Sequence, residues 1–239
     1  MENIIFCSSP FQVLVAKEVV QTVSEDFIGI YLKMSNDTRQ TFYAERMAEF
    51  CKEVLVLEGK TVFNDIQEAL KDRSIRNIYL ASLDNPVALS IFNPSTMSLY
   101  TFDDGSTSIV PLNLYTQNLE RGIPYTNFTL REVMSLSNRH YTVFEDCILF
   151  PKEKQVFLRL YLEPSHFHRA KNGKKISVFL GQFLGSLLNQ EDLELTQKLT
   201  AKVLDEQRID YYYPHPRVPL NPYQDKLKET RFCFEEEIY

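Results

Sequence analysis

Glycine is scarce in this sequence, with seven residues among 239. Loops that cradle phosphate groups need closely spaced glycines, and neither GxGxxG nor GxxxxGK followed by Ser or Thr occurs in the chain. The sequence therefore argues against a P-loop nucleotidase and against the usual dinucleotide-binding fingerprint.

An excess of basic residues is also lacking. The 26 Lys and Arg residues are outnumbered by 32 Asp and Glu residues, which gives a formal net charge of −6. Nucleic acids attract basic surfaces, so we expect no nucleic-acid partner. A locally basic cleft that binds one anionic nucleotide remains compatible with this charge.

The sequence contains no CxxC pair. Its four cysteines, Cys7, Cys51, Cys147 and Cys233, lie far apart. Cys7 and Cys147 stand in apolar runs, which is typical of reduced core residues and indicates a reducing, cytosolic location. A pair of histidines, His166 and His168, has no third ligand nearby, so we expect a solvated loop there and no metal site.

Long apolar runs are absent, and no run approaches the length of a bilayer span. Residues 1–3 (MEN) lead straight into an apolar strand without a basic segment, which predicts neither a signal peptide nor a membrane anchor before that strand. We expect a cytoplasmic protein, with peripheral association at the inner face of the cytoplasmic membrane as the alternative.

What the chain does contain is a regular alternation of strands and helices. The predicted strands are 4–8, 27–32, 53–57, 77–82, 97–102 and 141–144, and the predicted helices are 11–20, 45–52, 64–71, 84–91 and 126–137. This alternation favours an α/β fold, a mostly parallel sheet with helices on both faces.

The fifth predicted strand ends in Asp103, Asp104 and Gly105. Ligands of open α/β sheets bind beyond the carboxyl ends of the strands, where one aspartate can act as a general base. Ser9 and Gln12 follow the first strand, so we assign them to the same side of the site. The alternative is that residues 103–106 (DDGS) form only a surface turn around the Asp-Gly pair.

A second candidate site follows residue 175. Strands are predicted at 176–180, 211–213 and 231–234, and one helix at 189–207, whose Leu195, Leu199 and Val203 are expected to form a buried stripe. Pro214 and Pro216 end the strand at 211–213 and hold His215 in a stiff turn. His215 and Arg217 can bind an anionic oxygen, although a surface turn is the alternative. Gly181 and Gln182 end the strand at 176–180, where glycine admits close approach of a ligand.

These segments predict two domains, residues 1–162 and 176–239, joined by a linker at 163–175. The second domain has too few elements to cover both faces of a parallel sheet. We therefore expect that a second copy of the chain, or a C-terminal segment absent from it, completes this domain. A homo-oligomer is the expected state.

The chain resembles the bacterial lipooligosaccharide sialyltransferases of glycosyltransferase family 52. The matching segments, in the family's order and at comparable spacing, are 3–7 (NIIFC), 78–83 (IYLASL), 101–105 (TFDDG), 140–144 (HYTVF), 178–181 (VFLG), 214–217 (PHPR) and 234–236 (FEE). The resemblance implies a GT-B architecture of two Rossmann-like, doubly wound domains. It also implies metal-independent, inverting transfer of sialic acid from CMP-sialic acid to a terminal galactose of a surface glycan, lipooligosaccharide or capsule, with no cofactor.

The resemblance also implies roles for individual residues. His215 and Pro216, with Arg217 beside them, correspond to the motif that holds the CMP phosphate, and Glu235 corresponds to the residue that binds the cytidine ribose. Gly181 and Gln182 complete the donor side. Asp103, Asp104 and Gly105 resemble the motif that supplies the acceptor-side base.

Two departures from the family pattern affect these roles. The family carries an aspartate shortly after the Leu-Gly of the second domain, whereas residues 181–186 (GQFLGS) contain no acid, which favours Asp104 as the base. The serine pair that helps to hold the phosphate falls beyond residue 239. Two alternatives therefore stay open: the same fold with another donor, such as a glucosyltransferase, or an inactive relative that binds nucleotide or glycan.

Overall fold

The structure, a computed structural model, describes residues 1–33, 38–111, 113–160, 177–181, 188–206, 209, 211–213 and 231–232. The chain forms two compact units, Met1–Tyr161 and Leu162–Tyr239. Residues 163–175, predicted as a linker, lie outside the described residues.

The first unit contains a seven-stranded sheet with the strand order β3-β2-β1-β4-β5-β6-β7. Every neighbouring pair of strands in it is parallel. The strands are β1 (Glu2–Cys7), β2 (Phe27–Lys33), β3 (Glu53–Glu58), β4 (Ile75–Leu80), β5 (Ser98–Phe102), β6 (Ser137–Thr142) and β7 (Gln155–Phe157). The α/β class predicted from the alternation is confirmed.

Helices lie on both faces of this sheet. They are α1 (Pro10–Val23), α2 (Thr38–Met47), α3 (Val62–Leu70), α4 (Pro86–Ser90), α5 (Leu114–Gln117) and α6 (Leu130–Leu136). Residues of α1 and α2 join one apolar cluster, whereas those of α3, α4, α5 and α6 join a second cluster on the other side. The sheet therefore separates two apolar layers, as in a doubly wound fold.

The connection from β1 to α1 shows why the sequence turns where it does. Ser9 is the N-cap residue, and its side chain accepts a hydrogen bond from the backbone N–H of Gln12. Pro10 occupies the first helical turn, where its missing N–H costs nothing. The helix ends at Ser24, which adopts a left-handed conformation and donates its backbone N–H to the carbonyl of Val20.

Several elements differ from the sequence prediction. Helix α5 was not predicted, and β6 begins at Ser137, four residues before the predicted strand 141–144. Helix α2 ends at Met47 and not at residue 52, because the N–H groups of residues 48 to 50 bond carbonyls three residues back in tight turns. Strand β7 was not predicted, since it has three residues and follows a lysine-rich turn. It forms the outer edge of the sheet and pairs with β6.

The opposite edge of the sheet is β3, with the sequence EVLVLE. A glutamate stands at each end of this strand. Glu53 binds Arg73 through two hydrogen bonds of 2.7 and 2.8 Å, and Glu58 pairs with Lys33 at 3.0 Å.

In the described part of the second unit, a small parallel sheet has the order β10-β9-β8 and is accompanied by one helix. The described elements are β8 (Val178–Leu180), α7 (Gln190–Glu206), β9 (Tyr211–Tyr213) and β10 (Arg231–Phe232). Leu204 and Tyr212 are buried there, with Phe179, Ala201 and Ile209 packed against them.

The stripe predicted on α7 is wrong. Leu195 and Leu199 are each 55% exposed, and Val203 is 41% exposed, whereas Leu204 is 1% exposed. The less exposed face passes instead through Leu193, Thr196, Gln197, Thr200, Ala201 and Leu204. The apolar residues Leu195, Leu199 and Val203 therefore each lie one position away from the face of α7 that packs.

The three cysteines in the described residues, Cys7, Cys51 and Cys147, are buried and free. This confirms the prediction for Cys7 and Cys147. Cys233 lies outside the described residues. Burial raises the pKa of the Cys51 thiol to about 12, so this side chain stays protonated at neutral pH.

Candidate active site at the ends of β1, β4 and β5

The order of the strands creates a crevice between β1 and β4. The chain leaves β1 toward the face covered by α1, whereas α4, which follows β4, packs on the other face. The connections that follow β1 and β4 therefore pass to opposite faces of the sheet. In open α/β sheets, ligands bind at such a point, beyond the carboxyl ends of the strands. Ser8 and Gln12 follow β1, Ser82 follows β4, and Asp104 follows β5.

The Asp104 carboxylate is the meeting point of these elements. Gln12 donates from Nε2 to one carboxylate oxygen over 2.5 Å, and Ser82 donates its hydroxyl to the other over 2.7 Å. The hydroxyl of Tyr115, from α5, lies 3.4 Å from the second oxygen. Side chains up to 92 residues away in the sequence thus converge on Asp104, which itself is half-buried.

The hydrogen-bond capacity of Asp104 is not exhausted. An ionised carboxylate offers about four lone-pair sites, and the three contacts with described residues occupy three of them. Burial raises the pKa of Tyr115 well above its ordinary value, and the nearby Asp104 charge acts in the same direction, so its hydroxyl remains a donor. One acceptor position on Asp104 is therefore available for a hydroxyl group of a substrate.

Gln12 is fixed on its other side. Its carbonyl oxygen accepts a hydrogen bond from the backbone N–H of Ser8 at 2.6 Å and one from the Ser8 hydroxyl at 3.2 Å. The side chain is buried, with 3% exposed. Gln12 therefore connects the end of β1 to Asp104, whereas Ser9, assigned with it to the acceptor side, caps helix α1.

Gly105 turns the chain directly after Asp104. Its φ of +80° lies in the left-handed region that favours glycine, and residues Gly105–Ser108 form a 3-10 helix. This turn folds back so that the Ser108 hydroxyl donates to the Asp103 carboxylate.

Asp103 has a different environment from its neighbour. It is fully buried, and its carboxylate accepts the backbone N–H of Val143 at 2.6 Å and lies 3.2 Å from Nε2 of His140. With Ser108 as a third partner, this carboxylate joins the end of β5 to β6. The geometry favours a positioning role for Asp103 and leaves Asp104 as the carboxylate that a substrate can reach.

His140 extends this network into the sheet. Its Nδ1 lies 3.0 Å from the hydroxyl of Thr101, which in turn lies 2.9 Å from the hydroxyl of Ser137. The ring stacks on Phe150 with centroids 4.4 Å apart. This network was not predicted from the sequence, although polar residues inside two adjacent buried strands are a signal for it.

The charge state of His140 follows from its partners. Burial acts to lower its pKa, but the hydrogen bond and charge of Asp103, together with the Cys147 thiol, outweigh burial and raise the pKa above 6.5. The same imidazole, acting against burial, lowers the pKa of Cys147. His140 therefore holds its proton more readily than a free imidazole, and its Nε2 faces the Asp103 carboxylate inside the sheet.

On the donor side, one predicted residue is described. Gly181 follows β8 and is buried. Gln182, His215, Pro216, Arg217 and Glu235 lie outside the described residues, as do His166 and His168. Their roles stay predictions.

Comparison with known proteins now identifies the class of this chain. The model of glycosyltransferase family 52 matches residues 24–224. The chain belongs to this family, and it is a glycosyltransferase. The resemblance noted in the sequence is thereby confirmed.

Two characterised relatives narrow the comparison. One is the CMP-N-acetylneuraminate:β-galactoside α-2,3-sialyltransferase of Pasteurella multocida (strain Pm70), which is 27% identical over 254 residues that cover 99% of this chain and 80% of the relative. The other is the N-acetyllactosaminide α-2,3-sialyltransferase of Haemophilus influenzae (strain ATCC 51907 / DSM 11121 / KW20 / Rd), 26% identical over 257 residues that cover 99% of this chain and 81% of the relative.

Among the described residues, none of the helices combines the length and the apolar character that crossing a membrane requires.

Proposed function

We propose that this enzyme transfers sialic acid from CMP-sialic acid to a terminal galactose and forms an α-2,3 linkage. The similarity to two α-2,3-sialyltransferases along 99% of the chain carries this proposal. The acceptor is a galactose-terminated glycan of a bacterial surface, lipooligosaccharide or capsule. We place this transfer reaction in the cytoplasm. The alternative is that the enzyme associates with the inner face of the cytoplasmic membrane.

In this mechanism Asp104 is the general base. The acceptor hydroxyl occupies the fourth acceptor position of the carboxylate, beside the three donors that hold it. As the acceptor oxygen bonds to the anomeric carbon of sialic acid, its proton passes to Asp104. The bond from that carbon to the phosphate oxygen breaks with inversion, and its electron pair leaves with CMP.

The donor side completes the proposal. His215 neutralises the charge that develops on the departing phosphate, which an imidazolium can do without a metal ion. Arg217 and Glu235 hold the phosphate and the ribose, and Gly181 and Gln182 lie beside the donor. The GT-B arrangement, with the donor on the second unit, and the homo-oligomeric state are part of the same proposal.

A transfer assay tests the role of Asp104. With CMP-sialic acid and lactose, Asp104→Asn should lower kcat by about 10² to 10⁴-fold, the usual contribution of a general base. Binding of CMP should stay within twofold of the wild type, because asparagine keeps the shape of the side chain and the proposed CMP site lies on the donor side. CMP release and the NMR spectrum of the product are the measurements.

Asp72→Asn is the matched control, since Asp72 is exposed and follows α3. Transfer by Asp104→Asn within threefold of the wild type would contradict the assignment of the base. Turnover of a UDP-sugar in place of CMP-sialic acid would favour the glucosyltransferase alternative. Binding of CMP by the wild type without any transfer would favour an inactive relative.

A further inference from the structure

A chain of buried polar side chains runs from the start of β6 to the turn that follows β5. It links Ser137, Thr101, His140 and Asp103, and each of these residues is at most 2% exposed. A buried polar group is costly unless it is hydrogen-bonded, and each of these side chains has its partner within the sheet. The types of these partners determine where the protons lie.

The hydroxyl protons of this chain point in one direction. The Ser137 hydroxyl lies 3.0 Å from the backbone carbonyl of Arg139, which can only accept, so the single Ser137 proton is donated there. The Ser137 oxygen, 2.9 Å from that of Thr101, therefore accepts the Thr101 proton. With its own proton used, Thr101 accepts from Nδ1 of His140 at 3.0 Å. Nδ1 therefore carries a proton.

The other ring nitrogen of His140 faces a carboxylate. Nε2 lies 3.2 Å from Asp103, which also accepts the hydroxyl of Ser108 on one oxygen and the backbone N–H of Val143 on the other. Donors on both oxygens favour the ionised carboxylate, which can only accept, so Nε2 carries a proton as well. With both nitrogens protonated, the ring is a cation that compensates the charge of Asp103.

The surroundings of the ring agree with a cation. The titratable groups that face it are the Asp103 carboxylate and the Cys147 thiol, and both act to raise its pKa. Phe150 stacks on the ring and carries no charge. Lys154 binds two backbone carbonyls around the start of β6.

Asp103 connects this cation to the candidate active site. Its bond to Ser108 closes the turn that contains Asp104, and its bond to Val143 ties that turn to the end of β6. His140 is 2% exposed and both of its nitrogens have partners, so it does not touch a substrate. Any effect of His140 on the reaction therefore passes through Asp103.

We infer that His140 is a positioning residue of the transfer reaction, which compensates Asp103 and leaves Asp104 as the uncompensated carboxylate beside the acceptor. Like charges disfavour the charged form, so without this cation the two adjacent carboxylates would keep a proton up to a higher pH. The inference rests on the proposed function, because it takes Asp104 as the base.

NMR reads the protons of His140 without any substrate. In the full chain labelled with ¹⁵N-histidine, both ring nitrogens of His140 should show a bonded proton at pH 7. The two signals are assigned by their loss in His140→Gln. A His140 ring with only one protonated nitrogen would overturn the inference, whatever the role of Asp104.

The pH profile of transfer reads the effect on Asp104. Glutamine keeps a donor for Asp103 but removes the charge, so in His140→Gln the acid side of the kcat profile should move up by about one pH unit. The KM values for CMP-sialic acid and lactose should stay within about twofold of the wild type, because His140 touches neither substrate.

Thr129→Ala is the control for a mere loss of stability. Thr129 caps α6 at the end farther from β6, so this variant should keep the wild-type pH profile. If Asp104→Asn abolishes transfer while His140→Gln keeps the wild-type profile, this inference alone is wrong. If Asp104→Asn transfers at the wild-type rate, the proposed base is wrong, and the positioning role fails with it.

Discussion

Asp103 and Asp104 show how two adjacent identical residues acquire different chemistry. Asp103 directly follows β5 and is fully buried, and its carboxylate has three partners: His140 in β6, Val143 directly after β6, and Ser108 in the turn that follows Asp104. Asp104 lies at the crevice, half-buried, and keeps an acceptor position. The first aspartate fixes the turn that presents the second, so a change at Asp103 acts on the reaction through geometry.

The pairing of Asp103 with His140 predicts a pH dependence of stability. The pKa of His140 is higher in the folded state than its ordinary value of about 6.5. The folded state therefore holds this proton more tightly, and the resulting stability is fully present below pH 6.5 and is lost as pH rises through the raised pKa. The free energy of unfolding in urea, measured from pH 5 to pH 9, should fall over that window relative to His140→Gln.

The Cys147 thiol needs a control, because its pKa is lowered by the same imidazole. In a Cys147→Ala background the free energy of unfolding should fall less steeply with pH. It should still fall, because Asp103 remains and continues to raise the pKa of His140. If the stability of the wild type relative to His140→Gln, measured as the difference in the free energy of unfolding, increases with pH, then His140 is neutral in the folded protein.

At the scale of single elements, helix α6 depends on its N-terminal cap. The Thr129 hydroxyl accepts the N–H of Glu132, and the Glu132 carboxylate accepts the N–H of Thr129, a reciprocal capping box. Thr129→Ala should lower the free energy of unfolding by about 1 kcal/mol, the usual value of such a cap. Thermal unfolding followed by circular dichroism measures this loss.

Ser135→Ala serves as the control on the same helix, because Ser135 is exposed and lies within α6. Alanine favours helix, so this variant should be at least as stable as the wild type. Equal stabilities for Thr129→Ala and Ser135→Ala would mean that tertiary packing alone holds α6.

The elements also show what a sequence can predict. Strands β1, β2, β4 and β5 were placed within two residues, because buried strands of a parallel sheet are continuous apolar runs. The exposed face of α7 was misplaced, because Leu195 and Leu199 have helical spacing without being buried. The periodicity of a sequence determines which residues share a face of a helix, but tertiary packing determines which of these faces is buried.

The candidate site was predictable in part for a similar reason. The Asp103–Asp104 turn was found from its place after a strand, and Gln12 from its place after β1. Ser82, Tyr115 and His140 were not assigned, because their roles depend on neighbours 22, 11 and 37 residues away. Only the strand order brings these residues together.

At the scale of the whole molecule, the first unit should fold by itself. All members of its two apolar clusters lie between residues 4 and 160, and all seven strands of its sheet lie between residues 2 and 157. A chain that ends at residue 161 should unfold in one cooperative transition in urea. A non-cooperative loss of circular dichroism would show that this core needs residues of the second unit.

The β3 edge has a consequence for the behaviour of the protein at high concentration. An exposed strand edge invites a second copy to add to the sheet, and antiparallel addition about the centre of EVLVLE would set Glu53 against Glu58 of the incoming strand. Like charges directly opposite each other repel. We therefore expect the two terminal acids to disfavour this antiparallel addition, although Arg73 and Lys33 offset part of their charge.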